Sequence, residues 1–239
     1  MKATVALPVW NGKDIAWLAL ESLCRQEGVD FEWELLVFEE EHEGQLGSDF
    51  FHSYEDRLSE VGGVVNYITQ KNKLSLGEKW ATLARLADNT KMFAFCSADD
   101  YSHPNLLANG MREVDAGHDW VCIKEGYFFD IDLKKIISYV ATGRLSGLNM
   151  ITTTEKAQKI PFIPRNRVVD SWLYKNIRPT NLRKDLSLNW TRSLFTNGRN
   201  NISTQRRSYF ETIRPPFKNT DISLHEIVPH DIAERLLAL

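Results

Sequence analysis

Apolar and polar residues alternate along the first half of the chain in blocks that predict strands and helices in turn. Short apolar runs rich in β-branched and aromatic residues predict five strands, near 3–9, 33–38, 64–68, 92–96 and 120–123. Between these runs, apolar residues recur at helical spacing over 15–24, over 76–87 and after Pro104. This alternation predicts an α/β fold, a Rossmann-like and mostly parallel sheet with helices on both faces.

The pattern is looser after residue 123. Residues 127–132 and 135–140 read as the two strands of a hairpin, and 141–154 is a stretch rich in Gly, Ser and Thr. A short helix is predicted from Val168, and a basic, loop-rich segment from 178 ends in a helix near Asp231. Because there is no repeat and no clear linker, we expect one continuous domain with a C-terminal subdomain.

Composition fits an ordinary globular protein. Of 239 residues, 43% are hydrophobic and 26% are charged. No apolar run reaches transmembrane length, and the start of the chain is too short for a signal peptide, so no membrane segment is expected. Three scattered cysteines, Cys24, Cys96 and Cys122, fit neither a disulfide framework nor a zinc site. We therefore expect reduced packing cysteines and a cytoplasmic protein.

Charge is distributed unevenly. Residues 1–120 hold 10 Lys/Arg and 21 Asp/Glu, whereas residues 121–239 hold 19 Lys/Arg and 11 Asp/Glu. Most of the basic excess lies in 156–218, with 14 basic and 3 acidic residues. An acidic half beside a basic half suggests a cation site in the first and an anionic partner for the second. The alternative is that many of the arginines are solvated or paired with the acidic half.

Functional-looking residues follow three predicted strands at the point where each strand ends. The first strand ends in 8–12 (Pro-Val-Trp-Asn-Gly), the second in Glu39-Glu40, and the fourth in 97–100 (Ser-Ala-Asp-Asp). Open α/β sheets bind ligands at the carboxyl ends of their strands. Two adjacent carboxylates repel each other unless a cation or a donor compensates them, although turn aspartates that cap the next helix are the plainer alternative.

This ordered set, with Leu-Gly-Glu-Lys at 76–79, resembles the family-2 glycosyltransferases of the GT-A fold. The resemblance covers about residues 1–125 and continues weakly to Asp170 and His225. It implies an inverting glycosyltransferase that moves a sugar from a nucleotide-sugar, with UDP favoured, to an acceptor hydroxyl. Residues 1–125 would form the nucleotide-sugar-binding half and 126–239 the acceptor-binding and C-terminal half.

The resemblance also implies donor-binding residues. Pro8 and Trp10 would form a flat wall for the base, and Glu39 would accept the N–H of the base. Lys79 would neutralise phosphate charge. The plainer alternatives are a core aromatic for Trp10 and a solvated acidic loop for Glu39.

A divalent cation, Mn or Mg, is implied at the fourth strand end, where it would absorb charge on the diphosphate. Ser97 stands where the family has its first aspartate, so one carboxylate is missing. Asp99 is the candidate metal ligand, and Asp100 and Ser97 would contact the ribose, the sugar or a water. His225 is a candidate second ligand, although a lone histidine is more often structural.

A catalytic base and an acceptor site are implied further along the chain. Asp170, in an Asp-Ser-Trp-Leu context, matches the family's base, which takes the proton of the acceptor hydroxyl; the alternative is an ordinary helix N-cap. The candidate acceptor-binding residues are Arg165, Arg167, Trp172 and Arg178.

The basic stretch suggests a polyanionic acceptor. One candidate is DNA carrying a hydroxymethylated base, as viral enzymes of this type modify, with Tyr174, Trp190 and Tyr209 to stack an extruded base; the host cytoplasm would then be the location. The competing acceptors are a saccharide and a lipid-linked glycan. A catalytically idle nucleotide- or glycan-binding domain and a nucleotidyltransferase also stay open, although no Gly-rich phosphate loop supports the latter.

Overall fold

The structure is a computed structural model that describes residues 2–122, 125–140, 150–166 and 217–239, together with 169, 182–183, 194–197 and 213. Its strands are β1 (Ala3–Val9), β2 (Trp33–Glu40), β3 (Gly63–Gln70), β4 (Met92–Phe95), β5 (Asp100–Tyr101), β6 (Trp120–Val121), β7 (Glu125–Asp130), β8 (Lys135–Val140), β9 (Ile151–Thr153), β10 (Leu182–Arg183), β11 (Leu194–Asn197) and β12 (Phe217–Asn219). Its helices are α1 (Trp17–Leu23), α2 (Ser48–His52), α3 (Glu55–Ser59), α4 (Leu76–Leu86), α5 (Leu106–Asp115), α6 (Thr154–Gln158), α7 (Leu224–Ile227) and α8 (His230–Leu237). The five strands predicted in the first half and the β7–β8 hairpin are confirmed.

The central sheet has the strand order β10-β6-β9-β4-β1-β2-β3. Strand β1 lies between β2 and β4 and is parallel to both, with Val9 opposite Glu39 and Ala6 opposite Phe95. The mostly parallel sheet is therefore confirmed. Because these strands run in the same direction, their carboxyl ends lie on one edge of the sheet.

One central strand was not predicted. Strand β9 runs antiparallel between β4 and β6, in a region that composition assigned to a Gly-, Ser- and Thr-rich stretch. It is only three residues long, too short for a detectable alternation of apolar and polar positions. Ile151 and Thr152 are nonetheless fully buried.

A second sheet has the strand order β12-β8-β7-β11-β5. Its short strand β5 begins at Asp100, directly after the turn that follows β4, and pairs antiparallel with β11. The two sheets are therefore linked through the 97–100 turn.

The two faces of the central sheet pack against different helices. Along β1, Val5 and Leu7 contribute to a core that includes residues of α1 and α5, whereas Ala6 contributes to a second core with Trp80 of α4 and Ala157 of α6. This separation follows from the two-residue period of a strand. Helices on both faces, as predicted, are thus confirmed.

Helix α1 is held by charged contacts as well as by apolar packing. Both Glu21 carboxylate oxygens accept hydrogen bonds from Arg57, at 2.7 and 2.8 Å, and Arg25 also contacts Glu21 at 3.1 Å. Arg25 in turn contacts Asp231 of α8 at 2.6 Å, and the Arg235 guanidinium lies 3.8 Å from the centre of the Trp17 ring. The C-terminal helix is therefore anchored on α1.

All three cysteines are free thiols, as the sequence predicts. Burial raises the pKa of Cys96 to about 12, so this thiol stays protonated and unreactive. Across the described ranges, no helix combines the length and the apolar character needed to cross a bilayer.

We predict that Glu21→Gln destabilises the protein in a pH-dependent way. The hydrogen bonds from Arg57 lower the pKa of Glu21 in the folded state, so its contribution is complete above the unfolded pKa of about 4.3 and is lost as the pH falls through the folded pKa. Urea unfolding at pH 7 should show that the variant's free energy of unfolding is about 2 kcal/mol lower than that of the wild type. Near pH 3 the two free energies of unfolding should be closer together.

The control is Glu155→Gln, which removes an exposed carboxylate paired with Lys159 on α6. Its unfolding midpoint should match that of the wild type at both pH values. A loss for Glu21→Gln that is equal at pH 7 and in acid would contradict the charge-based explanation.

Candidate functional site

The three strand ends singled out in the sequence meet at one edge of the central sheet, because β1 pairs with both β2 and β4. Beyond β1, Asn11 has a φ of 51°, in the left-handed region that asparagine tolerates better than most residues. A Cβ placed on Gly44 would lie 3.2 Å from the Asn11 side chain. The β1–α1 loop and the loop after β2 are therefore in close contact.

Trp10 presents an exposed aromatic surface at this edge. The residue is 37% exposed, and its ring centre lies 4.4 Å from that of His42. The Lys73 ammonium lies 4.4 Å from the centre of the Trp10 ring, within cation–π range. The core-aromatic alternative for Trp10 is thus wrong, and a flat surface with a cation beside it is available to a planar ligand.

Pro8 is buried, unlike Trp10. It lies within β1, opposite Phe38, and every residue of that strand is buried. Pro8 is thus less accessible than Trp10, and its contact with the base stays a prediction. Sequence reasoning missed His42 and Lys73, which reach Trp10 from two different loops and form no motif with it.

Glu39 is fully buried, so the solvated-loop alternative is wrong. Its carboxylate accepts hydrogen bonds from the N–H of Leu46 at 2.9 Å and of Gly47 at 3.0 Å, and from the Tyr67 hydroxyl at 3.0 Å. Burial, reinforced by the bond to Glu39, raises the pKa of Tyr67 to about 12. Tyr67 therefore stays a donor, and Glu39 fixes the loop after β2 instead of pointing into solvent.

Glu40 and Lys79 form a buried ion pair. The Lys79 ammonium lies 2.5 Å from Glu40 and donates a hydrogen bond to the carbonyl of Val9 at 3.0 Å. Glu40 also accepts the N–H of Leu74 at 2.9 Å. Burial lowers the pKa of Lys79, although Glu40 opposes the shift. The Lys79 ammonium therefore joins α4 to the ends of β1 and β2, and its phosphate contact stays a prediction.

The start of α4 contacts residues 163–166, which come from the second half of the chain. Gly77 donates its N–H to the carbonyl of Arg165 at 3.0 Å, and Leu76 donates to the Asn166 side chain at 2.9 Å. A Cβ on Gly77 would lie 1.8 Å from the carbonyl oxygen of Ile163, so only glycine permits this approach. The 76–79 motif therefore positions residues 163–166.

The turn after β4 carries the paired acids. Asp100 donates its N–H to the Ser97 carbonyl at 3.4 Å, and this contact closes the turn. Asp99 and Ser97 are half-buried, whereas Asp100 is buried at the start of β5. Asp99 is therefore the more accessible carboxylate, and a carboxylate on a tight turn suits a hard cation.

His225 lies on α7, where its ring nitrogens contact two neighbours. Its Nδ1 is 3.2 Å from Nδ1 of His230, and its Nε2 is 3.2 Å from Glu234. A shared metal site of His225 and Asp99 stays a prediction.

Several predicted residues lie outside the described part of the chain. These are Asp170, Arg167, Trp172, Arg178, Tyr174, Trp190 and Tyr209. Two of their neighbours are described: Arg165 is exposed, and Val169 is buried in the core that contains Trp80 and Phe95.

A cavity of about 320 Å³ lies beside the loop that Glu39 fixes. It is lined by Glu41, by residues 45–49 and by Tyr67 and Thr69 of β3. Its lining is mostly polar and acidic, which suits a ligand with hydrogen-bond donors.

No protein-family model matches the sequence, and no curated protein matches it. The fold is similar to that of S. aureus TarS in complex with UDP, with a TM-score of 0.57, 17% identity, and coverage of 82% of this chain and 61% of that one. For TarS in complex with UDP-GlcNAc, the TM-score is 0.55 and the identity is 16%, over 84% of this chain and 60% of that one. For GalNAc-T7 with UDP, GalNAc and Mn2+, the TM-score is 0.57 and the identity is 9%, over 85% of this chain and 46% of that one.

These structures are GT-A glycosyltransferases, and the chain has the GT-A fold. At such low identities the likeness establishes the fold alone. The chain spans about three fifths of the length of the TarS structures and less than half of GalNAc-T7.

We predict that Lys79→Met destabilises the protein by about 3–5 kcal/mol, because it leaves the Glu40 carboxylate buried without its counter-charge. The double variant Lys79→Met/Glu40→Gln should regain a large part of that loss. Denaturant unfolding of the two single variants, the double variant and the wild type measures the coupling.

The control is Lys91→Met, which removes an exposed ion pair with Asp115 and should cost less than about 1 kcal/mol. Losses from Lys79→Met and Glu40→Gln that simply add in the double variant would show that the pair is not coupled.

Proposed function

We propose that the protein is an inverting glycosyltransferase that moves a sugar from a UDP-sugar to an acceptor hydroxyl. The observation that carries this proposal is the meeting of three parallel strand ends in a GT-A fold, with the exposed Trp10 ring at one end and the accessible Asp99 carboxylate at another. Residues 1–125 would bind the donor, and residues 126–239 would bind the acceptor.

The donor base stacks on Trp10 in this proposal. An exposed indole offers a large flat face, and Lys73 and His42 border it. Glu39 acts indirectly, since its bonds to Leu46 and Gly47 set the shape of the loop beside the base. The preference for uridine is supported by the family resemblance and by the UDP complexes of the TarS and GalNAc-T7 structures.

A divalent cation, Mn or Mg, fits the turn after β4. Asp99 supplies a carboxylate there, and the donor phosphates supply further oxygens, which is the ligand type that both ions prefer. Such an ion would stabilise the negative charge that develops on the leaving diphosphate. Ser97 and Asp100 would contact the ribose or the sugar. GalNAc-T7 is a GT-A structure that was solved with Mn2+.

Transfer proceeds by in-line attack of the acceptor oxygen on the anomeric carbon. The Asp170 carboxylate takes the proton of the acceptor hydroxyl as the new carbon–oxygen bond forms. The bond between the anomeric carbon and the diphosphate oxygen breaks, and UDP leaves with the electron pair. The contacts of residues 163–166 with the start of α4 support this role, because they fix the chain four residues before Asp170.

The basic stretch 156–218 favours a polyanionic acceptor. Within it, Arg165 is exposed next to its backbone anchor on Gly77, and Arg167, Trp172 and Arg178 would extend the acceptor surface. We propose duplex DNA with a hydroxymethylated base as the first acceptor to test, and phosphorylated or lipid-linked saccharides as the second.

Donor binding can be measured by calorimetry with UDP-, GDP- and dTDP-sugars, each with and without Mn2+. We expect a UDP-sugar to bind most tightly in the presence of the metal. Trp10→Ala should weaken binding roughly ten- to a hundredfold, as loss of a stacked base does.

Asp99→Asn should remove the increase in affinity for the UDP-sugar that Mn2+ gives. The control Leu86→Ala, at another exposed apolar side chain, should bind like the wild type. Equal binding of all three nucleotides, or no effect of Trp10→Ala, would contradict the proposed base site.

Asp170→Asn should reduce transfer of labelled sugar by about 10²- to 10⁴-fold, because the acceptor hydroxyl loses its base. Its affinity for UDP should stay within twofold of the wild type, and the control Asp56→Asn, on the exposed surface of α3, should keep full activity. Turnover that survives Asp170→Asn would remove the assigned base. UDP binding without transfer to DNA or glycan acceptors would favour the idle binding domain.

A further inference from the structure

The corner between α7 and α8 brings three potential metal ligands together on the surface. His225 lies on α7, His230 is the first residue of α8, and Glu234 lies one turn further along α8. One ligand atom from each side chain lies within 4.8 Å of the others. In the described part of the chain, no other group of three His, Cys, Asp or Glu side chains meets this criterion.

The distances in this group fit a transition metal. Nδ1 of His225 and Nδ1 of His230 are 3.2 Å apart, and two nitrogen ligands of a tetrahedral zinc ion lie about 3.3 Å from each other. Without a metal, Nδ1–H of one ring donates a hydrogen bond to Nδ1 of the other; a cation between the rings would replace this proton and accept a lone pair from each nitrogen. The Glu234 carboxylate lies 3.2 Å from Nε2, the other ring nitrogen of His225. Since one ligand atom from each of the three side chains lies within 4.8 Å of the others, Glu234 adds the negative charge that a cation needs.

The two helices that carry these ligands are fixed by a capping box and by packing against the core. Helix α7 starts with a capping box in which Glu226 accepts the N–H and the hydroxyl of Ser223, both at 2.8 Å. Leu224 and Ile227 of α7 and Ile232 of α8 are buried in one core with Trp17. The ligands are therefore attached to two packed helices and not to a free loop.

The ligand chemistry differs from that of the proposed donor site. Imidazole nitrogens with one carboxylate suit Zn2+, Co2+ and Ni2+, whereas Mg2+ and Mn2+ prefer sites made of oxygen ligands such as Asp99. All three side chains are exposed, so water can complete the coordination shell. A metal here would tie α7 to α8, and through Asp231 and Arg235 it would strengthen the attachment of the C-terminal helix to α1.

We propose that His225, His230 and Glu234 form a surface site for a zinc-class divalent cation that fixes the α7–α8 corner. The site is separate from the donor-side cation and does not depend on the proposed glycosyltransferase activity.

The test is titration of the full, untagged and chelator-treated chain with Zn2+, Co2+, Mg2+ and Mn2+ in the absence of any nucleotide. Calorimetry gives stoichiometry and affinity, Co2+ absorption reports the coordination geometry, and thermal unfolding reports stabilisation by mass action. We expect one equivalent of Zn2+ or Co2+ to bind with micromolar affinity and to raise the Tm, and Mg2+ and Mn2+ to bind at least a hundredfold more weakly.

His230→Ala and Glu234→Gln should each weaken Zn2+ binding at least tenfold while the Tm without metal stays near that of the wild type, because both side chains are exposed. The matched control is His52→Ala, since His52 and Glu55 form another exposed histidine–carboxylate pair, at 3.1 Å, with only two ligands. Its Zn2+ affinity should be unchanged.

Three results would overturn the proposal: no saturable Zn2+ binding below about 1 mM, Zn2+ binding that survives His230→Ala, or Zn2+ binding that is lost in Asp99→Asn. The last result would move the cation to the turn after β4. Binding retained in Asp99→Asn and lost in His230→Ala supports the α7–α8 site whether or not the protein transfers sugar.

Discussion

The Lys79 ammonium is buried between the Glu40 carboxylate and the Val9 carbonyl, and the arrangement of the site depends on this contact. It joins one helix to the ends of two strands, at the edge where Trp10 and Asp99 are presented. A buried charge without its partner is strongly unfavourable. The ion pair and the hydrogen bond therefore hold α4, β1 and β2 in one relative position at this edge.

Two adjacent glutamates have different roles because successive side chains of a strand point to opposite faces. Glu40 points toward α4 and meets Lys79. Glu39 points toward the other face, where Leu46, Gly47 and Tyr67 surround it. One acid thus anchors a helix and the other shapes a loop, and both leave the exposed surface of the site to Trp10 and its neighbours.

The two halves of the chain are linked at the same edge. Gly77 and Leu76 at the start of α4 donate hydrogen bonds to the Arg165 carbonyl and the Asn166 side chain, so the helix that carries Lys79 also positions the segment that leads to Asp170. The 97–100 turn provides a second link, since it passes from the central sheet into the second one. In the proposed function, the donor side and the acceptor side would share α4 and this turn.

The sequence by itself determined five strands and three helices of the first half, because hydrophobic periodicity is a local property of the chain. It missed α2, α3 and β5, whose residues are too few to show a period. It also determined which strand ends carry functional groups, and hence that Trp10, Glu39 and Asp99 lie on one edge of a parallel sheet. Only the tertiary structure decided which of those groups are available. Pro8 is buried within β1. Glu39 and Lys79 bind partners seven to seventy residues away along the chain, and His225 contacts His230 and Glu234 across a helix junction. The sequence also did not predict strand β9, since three residues are too few to show an alternation of apolar and polar positions. Burial and hydrogen-bond partners depend on which distant segments fold against a residue, and a local pattern cannot specify that.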